Sequence, residues 1–135
     1  MIFLPIKPKY AFAIHSGEKK VEFRKVTFSR EERFCIVYAS SPVKRIIGYF
    51  ELTNIEKGSP KKIWKKYRDV GCISEKDFFA YYSNSEMAVA IEIKDYTPLK
   101  SEVDPRLKLE NFKVPQSFRY LKTHEVKNLM MVPSC

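Results

Sequence analysis

Gly17-Glu18-Lys19-Lys20-Val21-Glu22-Phe23-Arg24 marks a change of period along the chain. Upstream of it, Tyr10, Ala13 and Ile14 recur at helical spacing, and Lys7-Pro8 opens that helix with a proline suited to the first turn. Gly17 is the expected stop, because glycine tolerates the backbone reversal at a helix C-terminus. Downstream the period is two. Val21 and Phe23 point one way, while Lys20, Glu22 and Arg24 point the other, as on a strand spanning residues 20–25. A helix therefore delivers the chain, through a charged turn at Lys19, onto a strand with one apolar and one ionic face.

Outward from this segment the pattern is mostly β. Residues 2–6 form a β-rich run stopped by proline. Residues 34–39 form an apolar, β-branched and aromatic run closed by Ser40-Ser41-Pro42. Residues 44–54 read as a long strand, with Gly48 marking a bulge or bend. Residues 87–93 read as a strand buried on both faces, Ala88 and Ala90 filling alternate positions. Ser59-Pro60 and Ser74 cap two further helices, the first closed at Gly71. Ile63, Trp64 and Tyr67 make the apolar stripe of the first; Phe78, Tyr81 and Tyr82 make that of the second. Residues 96–114 read as irregular and proline-punctuated, 115–121 as a short turn or helix, and 126–132 as a last strand. Five or six strands outnumber three short helices and do not alternate regularly with them. That pattern predicts an α+β fold, a small β-barrel with helices over its openings, in one domain spanning residues 1–135.

Lys plus Arg is 25 and Asp plus Glu is 16, giving a formal net charge of +9. Such a balance favours a polyanionic partner. Cys35, Cys72 and Cys135 are odd in number and far apart, and no CxxC pair exists, which argues against a zinc site or a disulfide framework. His15 and His124 lack the spacing of metal ligands, so no metal or cofactor is expected. Met1 to Pro8 is too short and too interrupted for a signal peptide, and no apolar stretch reaches membrane-spanning length. The expectation is a cytoplasmic protein away from the membrane.

Chemistry concentrates in the opening segment. Side chains two apart on a strand face lie about 7 Å from each other, so Glu22 and Arg24, with Lys19 at the turn, could flank one small ligand. The ammonium and guanidinium suit phosphate or carbonyl oxygens, and the carboxylate can accept from an amine or take a proton. The alternative is a solvated strand face whose charges pair weakly. On either reading the cluster is expected to have little core contact, so that Lys19→Ala and Glu22→Gln would leave stability nearly unchanged.

The pattern Gly-x-Lys-x-x-Glu-x-Arg, met by Gly17, Lys19, Glu22 and Arg24, resembles the signature of ASCH domains, named for homology to activating signal cointegrator and belonging to the PUA-like superfamily. Ile6-Lys7-Pro8-Lys9-Tyr10, Tyr38-Ala39-Ser40-Ser41-Pro42 and Pro115-Gln116-Ser117-Phe118-Arg119-Tyr120-Leu121 resemble an ASCH subgroup in the same order. The resemblance implies a PUA-like barrel with a cleft beside the first helix and a role on RNA. It also implies ligand contacts from Lys7 and Tyr10. Some small members are amidohydrolases that remove the acetyl group of N4-acetylcytidine, with a lysine matched here by Lys19. Their threonine is replaced here by Glu22, and their later acid has only Asp69 as a candidate match.

Three functional classes follow. The first is a module binding RNA, a nucleotide or a nucleoside through Lys19, Glu22 and Arg24. Ser40 and Ser41 would hold a phosphate or base edge, and Gln116, Ser117, Arg119 and Tyr120 would supply polar and stacking groups. Lys61, Lys62, Lys65 and Lys66 would track the phosphate backbone, or else simply be solvated. The second is a hydrolase on a modified nucleoside, or a ribonuclease, with Lys19 stabilising an oxyanion and Glu22 as general base. The third is a protein-interaction module.

Overall fold

The computed structural model describes residues 1–130. In chain order the elements are β1 (Ile2–Ile6), α1 (Pro8–His15), β2 (Val21–Arg24), β3 (Phe34–Ala39), β4 (Arg45–Gly58), α2 (Pro60–Tyr67), α3 (Glu75–Tyr81), β5 (Ala88–Val103), α4 (Pro105–Lys108), β6 (Arg119–Tyr120) and α5 (Thr123–Met130). The six strands form one mixed sheet in the order β2-β5-β4-β3-β1-β6. β1 and β3 run parallel, and every other pair is antiparallel. The sheet curls into a half-barrel, the PUA-like α+β architecture expected from the sequence.

Local signals account for most boundaries. Pro8 sits at the start of α1, and Gly17 takes a φ of +88° just beyond its end. Ser59 and Ser74 cap α2 and α3 by accepting from the backbone N–H of Lys62 and Asp77. α2 ends at Tyr67, four residues before Gly71. Gly71 has a packing role instead: a Cβ there would lie 2.6 Å from the Phe23 ring.

Curvature comes from the β4–β5 hairpin, whose register shifts between Ile46 and Gly48, Tyr49 and Glu51, and Leu52 and Ile55. Each bulge bends the strand and strengthens its twist. Gly48 lies at the first of them, where a Cβ would clash with the Tyr96 hydroxyl.

Three sequence expectations are corrected. The strand expected at 87–93 continues to Val103, so the irregular stretch begins later. Pro98 is tolerated because β2 pairs only with Val89 to Glu92, leaving the far half of β5 without a strand on that side among the described residues. Residues 119–120 form a short strand on β1 rather than part of a short turn or helix. The last strand expected at 126–132 is helix α5 as far as Met130, and residues 131–132 lie outside the described residues. Val126, Leu129 and Met130 share one helical face and pack with Phe3, Ile36 and Tyr38.

β2 and the start of β5 are covered on both faces. Val21, Phe23, Ala88 and Ala90 pack under α2 and α3 with Ile63, Tyr67, Phe78 and Tyr82. Val89, Ile91 and Ile93 face the barrel interior with Leu4, Ile6, Ile14, Val37 and Phe50. Aromatic edge-to-face contacts fix the first layer: the Phe78 ring lies 5.0 Å from Phe23 and 4.8 Å from Tyr82. Trp64 is half-buried against the Phe78 ring, a core role as its helical spacing predicts.

Candidate functional site: the seam of the half-barrel

The half-barrel is not closed by strand pairing. β6 covers only Ile2 and Phe3, so among the described residues no strand lies on the open side of the Pro5 backbone. Arg24, at the end of β2, crosses that gap. Its Nη2 donates to the Pro5 carbonyl at 2.6 Å, and its Nη1 reaches the Ser117 carbonyl at 3.4 Å. The seam widens into a cleft of about 880 Å³. Its walls are β1 and the start of α1, the ionic face of β2, one face of α3, and the segment 114–117.

The floor of this cleft is a buried ion cluster. Glu22 Oε2 accepts from Arg24 Nε at 3.0 Å, and Glu22 Oε1 lies 3.8 Å from Lys19 Nζ. Lys19 Nζ also donates to the Gly71 carbonyl at 2.5 Å. The same ammonium sits 5.1 Å from the ring centroids of both Tyr10 and Phe23, a cation–π arrangement on two sides. No buried side-chain N or O among the described residues is left unsatisfied. Capacity for a ligand remains nevertheless. Among the described residues Glu22 Oε1 has only the long contact to Lys19, and Arg24 has five N–H donors, three of them directed at the partners just named.

Lys19 is 2% exposed and Glu22 6% exposed. This overturns the expectation of a cluster with little core contact. The ionic face of β2 is covered by the chain closing over it, so removing one partner leaves a buried charge uncompensated. Burial pushes the Lys19 ammonium below the ordinary lysine value, Arg24 adds to that, and the Glu22 carboxylate opposes it. Burial raises Tyr10, helped by the negative charges of Asp77 and Glu22, so its hydroxyl stays a donor.

The cleft gathers Lys7, Tyr10, Lys19, Glu22, Arg24, Ser40, Gln116 and Ser117 from the residues singled out in the sequence. Ser40 follows β3, where its N–H is held by the Ile6 carbonyl. The others lie elsewhere. Ser41 is exposed beyond the cleft. Arg119 is paired with Glu125 of α5. The Tyr120 hydroxyl accepts from the backbone N–H of Ser29 and Arg30, and its ring carries the Arg30 guanidinium at 3.9 Å. Lys61, Lys62, Lys65 and Lys66 are exposed on α2, Lys66 paired with Glu56. Asp69 is exposed after α2 and is absent from the cleft wall.

The structure adds residues that sequence reasoning missed. Asp77, Ala80 and Tyr81 of α3 line the cleft, as do Lys9 and Ile73. The i, i+3, i+4 spacing of Asp77, Ala80 and Tyr81 was the available signal. It was masked because Tyr81 also fits the core stripe of α3. Among the described residues no helix is long and apolar enough to cross a membrane, and no group of three His, Cys, Asp or Glu could hold a metal ion.

This seam, a PUA-like half-barrel with a Lys-Glu-Arg floor beside the first helix, defines a recognisable class. The ASCH domain model matches residues 4–97, and the chain belongs to the ASCH domain family. It is 32% identical over 130 residues to an ASCH domain-containing ribonuclease of Zymomonas mobilis, covering 94% of this chain and 88% of that one. It is 34% identical over 123 residues to the large ribosomal subunit protein uL22 of Ureaplasma parvum, of which it spans 39%. In structure it is similar to ASCH from Zymomonas mobilis, with a TM-score of 0.87, 29% identity and coverage of 94% and 91%. The N-terminal domain of Staphylothermus marinus McrB shares the fold alone, with a TM-score of 0.62 and 12% identity over 95% and 91%.

Proposed function

We propose that this ASCH domain acts on RNA by holding an unpaired nucleotide in the seam cleft. The observation that carries the reading is the buried Lys19–Glu22–Arg24 cluster opening into a cleft of about 880 Å³. Four cations (Lys7, Lys9, Lys19 and Arg24) face it against two carboxylates (Glu22 and Asp77). A phosphate is thus favoured beside the guanidinium and ammonium groups, and Lys7 and Lys9 meet it at the mouth. The flat rings of Tyr10 and Tyr81 suit an unstacked base. The basic face of α2 would hold flanking phosphates.

The similarity to a ribonuclease favours a second reading on the same site. A hydroxyl oxygen attacks the phosphorus of a backbone phosphodiester and the bond to the leaving oxygen breaks. Glu22 takes the proton of the attacking hydroxyl, Lys19 and Arg24 stabilise charge on the non-bridging oxygens, and water protonates the leaving oxygen.

Fluorescence anisotropy with short single-stranded RNA, followed by electrophoresis of the same RNA, tests both readings. Binding that weakens at least tenfold in Lys7→Ala/Lys9→Ala supports the cleft. Cleavage lost in Glu22→Gln, with binding retained by a variant whose circular dichroism is unchanged, adds the catalytic reading. Intact RNA after prolonged incubation with wild type leaves binding alone, and absence of binding rejects both.

A further inference from the structure

One carboxylate in the cleft is not part of the ion cluster. Asp77 lies on α3, its backbone N–H capped by Ser74, and its side chain has no hydrogen-bond or ion-pair partner among the described residues. It faces a cleft that is otherwise cationic. Its charge is felt at Tyr10, which also lines the cleft, and helps hold that hydroxyl protonated.

Its neighbours shape the space around it. Tyr81 follows by one helical turn on the same face and also lines the cleft, 39% exposed, with Lys25 over its ring at 4.7 Å. Ala80, with its small side chain, lines the cleft beside them. An acceptor and an aromatic ring thus share one face of α3, in a cleft that Lys7, Lys9, Lys19 and Arg24 also line.

A phosphate is repelled from Asp77 and drawn to the cations that line the same cleft. What can lie against the Asp77 carboxylate is a group offering N–H donors. The Watson–Crick edges of the four bases differ here. Guanine presents N1–H and the N2 amino group side by side, two donors for two carboxylate oxygens. Adenine and cytosine each place one amino group beside a ring-nitrogen acceptor, which would oppose the second oxygen. Uracil has one N–H between two carbonyls.

We infer that Asp77 reads the base edge in this cleft and selects guanine, with Tyr81 as the stacking surface beside it. The inference rests on the RNA reading proposed above and gives it a base preference. Guanine is then held by a bidentate, charge-assisted pair of hydrogen bonds, which differ from neutral contacts by roughly tenfold or more in affinity.

The test uses four short single-stranded RNAs of one length, each with a single G, A, C or U in an otherwise abasic strand, titrated into wild type and Asp77→Asn. Asparagine keeps the shape and the Ser74 cap, which uses the backbone. Wild type is expected to bind the G strand about tenfold more tightly than the U strand. Asp77→Asn should erase that preference by weakening the G strand while leaving the U strand unchanged or slightly tighter. Equal binding of all four strands by wild type, weakened together in Lys7→Ala/Lys9→Ala, overturns the guanine inference and leaves the RNA reading standing. A uniform gain for all four strands in Asp77→Asn also overturns it, since the carboxylate then acts only as a charge. Failure of wild type to bind any strand rejects the RNA reading and the inference with it.

Discussion

The two faces of β2 are built from alternate residues of one short strand and do opposite things. Val21 and Phe23 face α2 and α3, in a layer of interlocking aromatic rings. Glu22 and Arg24 face the seam, in a cluster that joins β2 to β1 through the Pro5 carbonyl. Both faces are covered, so burial does not distinguish them. The difference is in what burial does to each. An apolar ring gains from leaving water, whereas a buried ion is costly unless its partners stay in place. The aromatic face can therefore contribute stability without function. The ionic face is tolerated because each charge is paired, and its cost is the mark of a site.

The largest effect should come from the aromatic face. Phe78→Ala removes a fully buried ring touching Phe23, Trp64, Phe79 and Tyr82. Destabilisation of about 4 kcal/mol is expected by urea unfolding, with RNA affinity at low temperature within a few-fold of wild type. Loss of binding in the folded variant would show that the two faces are not separable.

Glu22→Gln should come next, at about 3 kcal/mol, because it leaves Lys19 and Arg24 buried beside a neutral amide. A change below about 0.5 kcal/mol, as for an ordinary surface site, would mean that the cluster is hydrated in solution. Unlike Phe78→Ala, this variant lowers stability by changing a residue of the seam itself.

A pH titration sharpens the same comparison. The folded-state pKa of Lys19 is lowered, chiefly by burial. Between that value and the ordinary lysine value the unfolded chain binds more protons, so this group's contribution to stability rises with pH across that window. RNA affinity moves the other way, because Lys19 loses its charge before an exposed lysine does. Lys19→Arg, charged throughout, should bind without that alkaline loss. An identical alkaline limb in both proteins would assign it to another group.

The smallest effect on folding belongs to α2. Replacing Lys61, Lys62, Lys65 and Lys66 by alanine should change stability by no more than about 0.5 kcal/mol per site. It should also flatten the fall of RNA affinity with rising salt, since fewer counterions are released. An unchanged slope would show that this face is merely solvated.

How far the sequence can be read follows from the same contrast. The alternation from Lys20 to Arg24 announces two faces, and Gly17, Ser59-Pro60 and Ser74 announce the helix ends, because these are local effects. Coverage of the ionic face is not local. It depends on Arg24 reaching a carbonyl nineteen residues away, on segment 114–117 folding across, and on α3 supplying Asp77. Nothing near Glu22 signals that closure, so its burial was not legible. The late elements were misread for a related reason. Pro98 suggests a break, yet it sits where β5 has a free side, and Val126 with its apolar neighbours fits a strand until helical spacing and packing under Phe3 decide.

The central claim, that the seam is where RNA binds, is tested most directly by heteronuclear NMR of 15N-labelled protein titrated with short single-stranded RNA. The account predicts the largest amide shifts at Tyr10, Lys19, Glu22, Arg24, Gln116 and Tyr81, with smaller shifts along α2. Shifts confined to α2, with the seam residues unmoved at saturation, would contradict it.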